Sequence, residues 1–142
     1  MENIIKCDEK DYCMLAEIWE RSVRATHKFL SEEVIAEIKR ALIPDYFPNV
    51  DLYAIDADGV YAGFIGLREN KIEMLFIDSK WQGRGFGTKL IEFAKRNGAT
   101  LVDVNEQNVS ALKFYQNQGL RIISRDDTDD AGRPYPILYM SL

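Results

Sequence analysis

The sequence predicts an α/β fold, α+β in its mixture of strand directions: a mixed, twisted sheet of about seven strands with four helices. Three observations predict it. Apolar runs of strand length alternate with runs of helical spacing along the whole chain. Two successive strand runs, 51–56 and 60–67, flank Asp58-Gly59, a tight-turn pair that makes them antiparallel. A third run, 72–77, is followed by a helix and another strand, and that crossover makes its two strands parallel.

The elements follow in order. Residues 3–7 read as a short first strand. Asp8 precedes a run with Tyr12, Leu15, Ile18, Trp19 and Val23 on one helical face. Ser31 is a good N-cap for a second helix, with Glu32 and Glu33 placed to favour its dipole. That helix presents Val34, Ile35, Ile38 and Leu42, and Pro44 is expected to end it. Run 72–77 is almost continuously apolar, as a central strand should be; alternation puts Glu73 and Leu75 on one face. A third helix spans about 85–96 with Phe86, Leu90, Ile91 and Ala94 inward, closed by Asn97-Gly98. Strand 101–104 comes next. Asn108 caps a fourth helix that Gly119 ends. Runs 120–125 and 136–141 form a last pair of strands around a polar loop, 126–134. Neither repeat nor linker interrupts this order, so residues 1–142 are expected to form one domain.

Composition narrows the function. A chain of 142 residues can bury a core without staples. The net charge of −5 argues against a nucleic-acid partner, which needs clustered Lys and Arg, and suits a cationic substrate. Cys7 and Cys13 lack the spacing of a zinc site, and one histidine cannot build a His-rich one, so no metal is expected. No apolar run approaches the roughly 20 residues of a membrane helix. The first ten residues lack the apolar core of a signal peptide. A cytoplasmic protein without a membrane partner is the expectation; a homodimer is left open.

The most informative segment is Gln82-Gly83-Arg84-Gly85-Phe86-Gly87, between an apolar strand and an amphipathic helix. Glycine permits close backbone approach and positive φ. A helix opened this way offers unpaired N–H groups and its positive dipole end to a phosphate. The segment is not a P-loop, because Thr88-Lys89 follows Gly87 where Lys-Ser/Thr would be needed. Nor is it a dinucleotide fingerprint, because the glycine spacing fails from either start.

Gln82-x-x-Gly85-x-Gly87 resembles the acetyl-CoA pyrophosphate loop of the GNAT superfamily of N-acetyltransferases. Asn108-x-x-Ala111-x-x-Phe114-Tyr115 followed by Gly119-Leu120 resembles that family's second segment, with Leu120 where Phe is usual. Three further stretches, Ala25-Thr26-His27-x-Phe29-Leu30, Asn105-Glu106-Gln107-Asn108 and Gly132-Arg133-Pro134-Tyr135-Pro136, are similar to the small bacterial YjaB-type acetyltransferases. The resemblance covers essentially the whole chain. It implies the GNAT acyl-CoA N-acyltransferase fold, with acetyl-CoA as co-substrate and an unidentified primary amine, small molecule or protein, as acceptor.

Residue by residue, the resemblance implies that Gln82, Gly83, Arg84, Gly85, Phe86, Gly87 and Thr88 cradle the pyrophosphate. It implies that the backbone of Leu75, Phe76 and Ile77 pairs with the pantetheine arm, and that Asn105 and Asn108 contact the same arm. Tyr115 becomes the leaving-group acid; a phenol with a pKa near 10 can protonate a thiolate. Read without the family, Tyr115 is a core residue and Asn108 a helix cap. Asp103 is an acid in an otherwise apolar strand. Together with Glu73 and His27 it is a candidate general base, and these three stay open. The acids Glu32, Glu33, Glu37, Asp126, Asp127, Asp129 and Asp130 are expected near the entrance for a cationic amine. A non-catalytic acyl-CoA sensor is the alternative, and a bare interaction domain a third class.

Overall fold

The computed structural model describes residues 3–142. Along the chain run β1 (Asn3–Lys6), α1 (Tyr12–Thr26), α2 (Glu32–Ala41), β2 (Asp51–Ala57), β3 (Val60–Arg68), β4 (Lys71–Ile77), α3 (Phe86–Arg96), β5 (Leu101–Asn105), α4 (Val109–Asn117), β6 (Arg121–Asp126) and β7 (Ile137–Ser141). The strands form one sheet in the order β1-β2-β3-β4-β5-β7-β6. Its neighbours are antiparallel except β4 and β5, the pair joined by the α3 crossover. The mixed seven-stranded sheet and the four α-helices match the expected fold class.

Two apolar cores lie on the two faces of this sheet. One gathers Leu15, Ile18, Trp19 and Val23 of α1 and Ile35 of α2 over Leu52, Ala54 and Phe64. The other gathers Leu90, Ile91 and Ala94 of α3 over Ile65, Ile72, Val102 and Met140. Fully burying a side chain of this size contributes about 1.5–3 kcal/mol, so these helices are held by packing more than by propensity. The Ser31 hydroxyl caps α2 by accepting from the Val34 N–H, as its position suggested. Pro44 does not end the winding. The chain continues through a π-type turn, Leu42–Tyr46. Proline lacks the N–H an α-turn uses, and the turn widens rather than stopping. Leu42 and Phe47 are thereby buried against the first core.

The feature that shapes the site is a bulge in β4. Gly66 pairs with Met74 and Leu67 with Ile72, which leaves Glu73 as an extra residue. A bulge bends its strand and breaks the alternation of faces. Hence Ile72, Leu75 and Ile77 join the core under α3, whereas Met74 and Phe76 join the core under α1 and α2. The expected shared face of Glu73 and Leu75 is therefore incorrect: Glu73 opens with Met74 and Phe76 onto one cleft. Beyond the same point β4 leaves β5. Their pairing consists of Lys71↔Leu101 and Ile72↔Val102 only.

One ion pair anchors the far end of β4. Asp78 is 2% exposed, and its carboxylate accepts from Nε and Nη2 of Arg21 on α1, at 3.1 and 2.8 Å. Its backbone carbonyl accepts from the Trp81 N–H and its N–H donates to Ala62. Burial pushes the Asp78 carboxyl up, but the hydrogen bonds and charge of Arg21 outweigh it, and the net shift is downward. A folded carboxyl more acidic than the unfolded one stabilises the fold above the unfolded value. Asp78→Asn should therefore lower unfolding free energy by about 1–3 kcal/mol at neutral pH, the usual scale for a charged hydrogen bond. In denaturant titrations the gap between wild type and variant should hold above about pH 5, shrink below the unfolded carboxyl value of about 3.9, and vanish under the folded one. A gap that widens with acid would contradict this account.

Candidate active site

Gly85 is the N-cap of α3, at φ 83°, and supplies no side-chain cap. Gly83 is also left-handed, at φ 77°. The first N–H groups of a helix have no partner within it, so Phe86, Gly87 and Thr88 present theirs to the space before the helix. The loop is propped from behind. Gln82 Nε2 donates to the Ile77 carbonyl at 3.2 Å, and the Arg84 guanidinium lies 4.9 Å from the Trp81 ring centre. This is an anion cradle of backbone donors with one cation beside it.

Three cavities meet where β4 and β5 part. The first, about 410 Å³, is lined by six of the seven expected loop residues, Gln82, Gly83, Gly85, Phe86, Gly87 and Thr88. Arg84 is the exception. Leu75, Phe76 and Ile77 form its floor, and Asn108 and Tyr115 its far wall. The second, about 100 Å³, shares His27, Leu75, Phe76, Asn108, Ala111 and Tyr115 with the first. Asn105 lines this second cavity rather than the first. The third, about 450 Å³, shares Ile72, Glu73, Met74, Phe76 and Asp103 with the second. The small cavity, a throat at the split of the sheet, thus lies between the two larger clefts and shares wall residues with each. All four candidate catalytic residues, Tyr115, Asp103, Glu73 and His27, line it.

Tyr115 is 7% exposed and packs edge-on against Phe114, with ring centres 5.2 Å apart. Its hydroxyl has no hydrogen-bond partner among the described residues, although the throat and the first cleft both reach the side chain. Burial raises its pKa well above the ordinary phenol value. The phenol is protonated at neutral pH.

The three candidate bases differ. Asp103 holds Lys71 Nζ at 2.5 Å, and Glu73 lies 3.9 Å from the same ammonium. His27 is the C-cap residue of α1 and has both ring nitrogens engaged: Nδ1 lies 2.8 Å from Thr26 Oγ1, and Nε2 lies 3.2 Å from Asn108 Nδ2. Burial lowers its pKa to about 4.

The third cleft is walled by Trp19, Ile38, Tyr46, Met74 and Ile137. Its charged lining is Asp45, Glu73, Asp103, Asp129 and Asp130 against Arg68, Lys71 and Arg133, five acids less three bases, a formal charge of −2. Of the acids expected at an entrance, Asp129 and Asp130 are here. The others named with partners are spent locally: Glu32 pairs with Arg24, Asp127 with Arg125, and Asp126 accepts from the Tyr139 hydroxyl. Arg133 bonds both Glu37 of α2 and Asp129, so it fastens the β6–β7 loop across the cleft. Arg21, Asp78, Lys71 and Arg133 carry roles that sequence reading missed. Each acts through a partner 32 to 96 residues away, apart from the local Arg133–Asp129 and Lys71–Glu73 contacts. No local pattern reports such pairs.

A sheet split between β4 and β5, with a glycine-led helix N-terminus at one cleft and an acidic, aromatic cleft on the other side, is the arrangement of a group-transfer enzyme. Residues 14–135 match the family model of the Acetyltransferase (GNAT) domain, and the chain belongs to that acetyltransferase family. Over 140 residues, 97% of this chain and 96% of the relative, it is 38% identical to the peptidyl-lysine N-acetyltransferase YjaB of Salmonella typhimurium. The solution structure of apo YjaB from Escherichia coli superposes with a TM-score of 0.90 at 34% identity, covering 99% of this chain and 97% of that one. The PaiA N-acetyltransferase of Thermoplasma acidophilum, solved in complex with coenzyme A, shares the fold at 21% identity and TM-score 0.73, over 100% and 99% of the two chains. The chain is therefore an N-acetyltransferase of YjaB type.

The backbone at Gly85 can be tested without any ligand. A Cβ there would meet nothing within 4 Å, so space is not the constraint; positive φ is. Gly85→Ala should cost about 1–2 kcal/mol from the left-handed conformation alone. Gly87 has no such φ, and an added Cβ would make ordinary contact with Phe114 at 3.5 Å. Gly87→Ala should be neutral or stabilising by up to about 1 kcal/mol through helix propensity. Chemical denaturation measures both, and equal losses at the two positions would refute the assignment of strain to Gly85.

Proposed function

We propose that the chain moves an acetyl group from acetyl-CoA directly to the ε-amine of a lysine in a peptide or protein. The observation that carries this reading is the throat: it lies at the parted strands between the cradle cleft and the acidic cleft and shares wall residues with both. The pyrophosphate would sit on the N–H groups of Phe86, Gly87 and Thr88, with the pantetheine arm along the free edge of β4 beyond Ile72. A β4 backbone N–H would polarise the thioester carbonyl. The amine enters from the acidic cleft, where Trp19, Ile38 and Tyr46 suit an aliphatic stem and the carboxylates suit its ammonium. Peptidyl-lysine is the acceptor named for the YjaB relative.

The chemistry then balances within the throat. The ammonium gives up a proton toward the carboxylates of Glu73 and Asp103, directly or through water. The neutral nitrogen attacks the thioester carbon and the C–S bond breaks. Tyr115 donates its proton to the departing sulfur, and the second proton that the nitrogen sheds on becoming an amide reprotonates the tyrosinate, directly or through water. No cysteine lines any of the three cavities, which favours direct transfer over a thiol acyl-enzyme.

Free-thiol release from acetyl-CoA with a panel of lysine peptides tests the activity. Tyr115→Phe should lower kcat by about 10²- to 10⁴-fold, the scale of general acid catalysis, while coenzyme A affinity by calorimetry stays within a few-fold. An unchanged kcat would remove Tyr115 from the mechanism. A second measurement addresses the acceptor. Among the described residues, the carboxylates of Asp45 and Asp130 have no hydrogen-bond or ion-pair partner and line the acidic cleft. The double variant Asp45→Asn, Asp130→Asn should raise KM for a cationic peptide several-fold with little change in kcat, and kcat/KM of the wild type should fall as salt rises. A preferred acceptor that is anionic and indifferent to salt would defeat this acceptor reading.

A further inference from the structure

The one histidine of the chain stands where α1, α4 and the throat meet. Its two hydrogen bonds can be assigned donors and acceptors from their neighbours. Asn108 is the N-cap of α4, and its Oδ1 accepts from the Ala111 N–H at 3.2 Å. That contact fixes the amide orientation, because a flipped amide would set two donors face to face. Asn108 therefore turns Nδ2, a donor only, toward His27 Nε2 at 3.2 Å. Nε2 must be the acceptor and carry no proton.

The other end gives the same answer independently. The Thr26 hydroxyl donates to the Ser22 carbonyl at 2.8 Å, so toward His27 Nδ1, also at 2.8 Å, it offers a lone pair. Nδ1 must be the donor. A chain of hydrogen bonds thus runs Ala111 N–H, Asn108, His27, Thr26, Ser22 carbonyl, all in one sense. An imidazolium would break it at Asn108, where donor would meet donor. Phe29 and Phe76 rings lie 5.5 and 6.4 Å from the imidazole centre. Charged Glu73 and Asp103 share the throat wall, but no hydrogen bond or ion pair joins His27 to a charged group among the described residues. The lowered pKa, caused by burial, agrees with a neutral ring.

We propose that His27 is a positioning residue and not the proton acceptor: as a neutral imidazole with its proton on Nδ1, it ties the C-terminal end of α1 to the N-cap of α4 and so sets Tyr115 in the throat. Tyr115 lies seven residues after Asn108, two turns along the same helix face. A tilt of α4 about its cap would swing that phenol directly. The tie crosses from the sheet face held by α1 to the one held by α4, over the same split that separates β4 from β5. The role rests on the acetyl-transfer reading above, but the tautomer does not.

Imidazole nitrogen NMR on the intact chain tests the tautomer, and a single histidine makes the assignment unambiguous. The expected spectrum has a protonated Nδ1, an unprotonated Nε2, and no titration between about pH 5 and 8. A proton on Nε2, or protonation with a midpoint between about 6 and 7, would overturn the proposal whether or not the chain is active. Kinetics tests the role. Gln can offer its amide oxygen to Asn108 but cannot act as a base near neutrality. His27→Gln should keep kcat within about threefold, whereas His27→Ala should lose about 10- to 100-fold with coenzyme A affinity retained, the scale of small misplacements in an active site. Both variants should leave the pH limbs of kcat/KM in place. A His27→Gln variant as inactive as His27→Ala, with the acid limb abolished, would make His27 the base and end the proposal.

Discussion

The parting of β4 from β5 is the constraint on which the site depends. Two residue pairs join these parallel strands before the Glu73 bulge turns β4 away. Unpaired strand edges are costly in a protein interior, because each N–H and C=O needs a partner. The opening is tolerated because each half of the sheet is well paired without it. On one side β1 to β4 form an antiparallel run; on the other β5, β7 and β6 form another. The core under α3 spans both halves, joining Ile65 and Ile72 to Val102 and Met140. The split is therefore held open by a rigid scaffold, and its free backbone edge is available to pair with an extended ligand.

The ends of the helices show how the chain separates stability from function. Side-chain caps close α2 at Ser31 and α4 at Asn108. The N-terminus of α3 has none, because Gly85 stands at its cap. The loop before that helix end is fixed at its root by Asp78, the buried carboxylate gripped by Arg21. The floor, the cradle and α1 thus form one connected unit.

Charge is organised on the same plan. Most acids that look alike along the chain are neutralised by neighbours, among them Glu20 and Glu32 by Arg24, and Glu106 and Asp127 by Arg125. Lys71 sits between Asp103 and Glu73 at the point where β4 and β5 separate. Excess carboxylate survives in the cleft that faces the throat from the side of α1, α2 and the β6–β7 loop. Charge is thus uneven between the two clefts: acids outnumber bases along the walls of one, and no Asp, Glu, Lys or Arg lines the other.

The residues alone determined much of this. Hydrophobic periodicity, caps and turn pairs are local signals, and they located seven strands, four helices and their mixed directions to within a few residues. The glycine loop and the Asn108–Tyr115 segment were equally legible, because closeness in sequence is closeness in space on a turn or a helix. Pro44 misled, since a widened turn absorbed it, and so did the alternation through 72–77, since a bulge depends on the neighbouring strand and leaves no mark of its own. Tertiary structure alone brought His27 to Asn108 across 81 residues and Arg21 to Asp78 across 57. It also decided which acids stay unpaired. Those outcomes depend on where three helices and a bent strand converge, and that geometry exists only once both cores have formed.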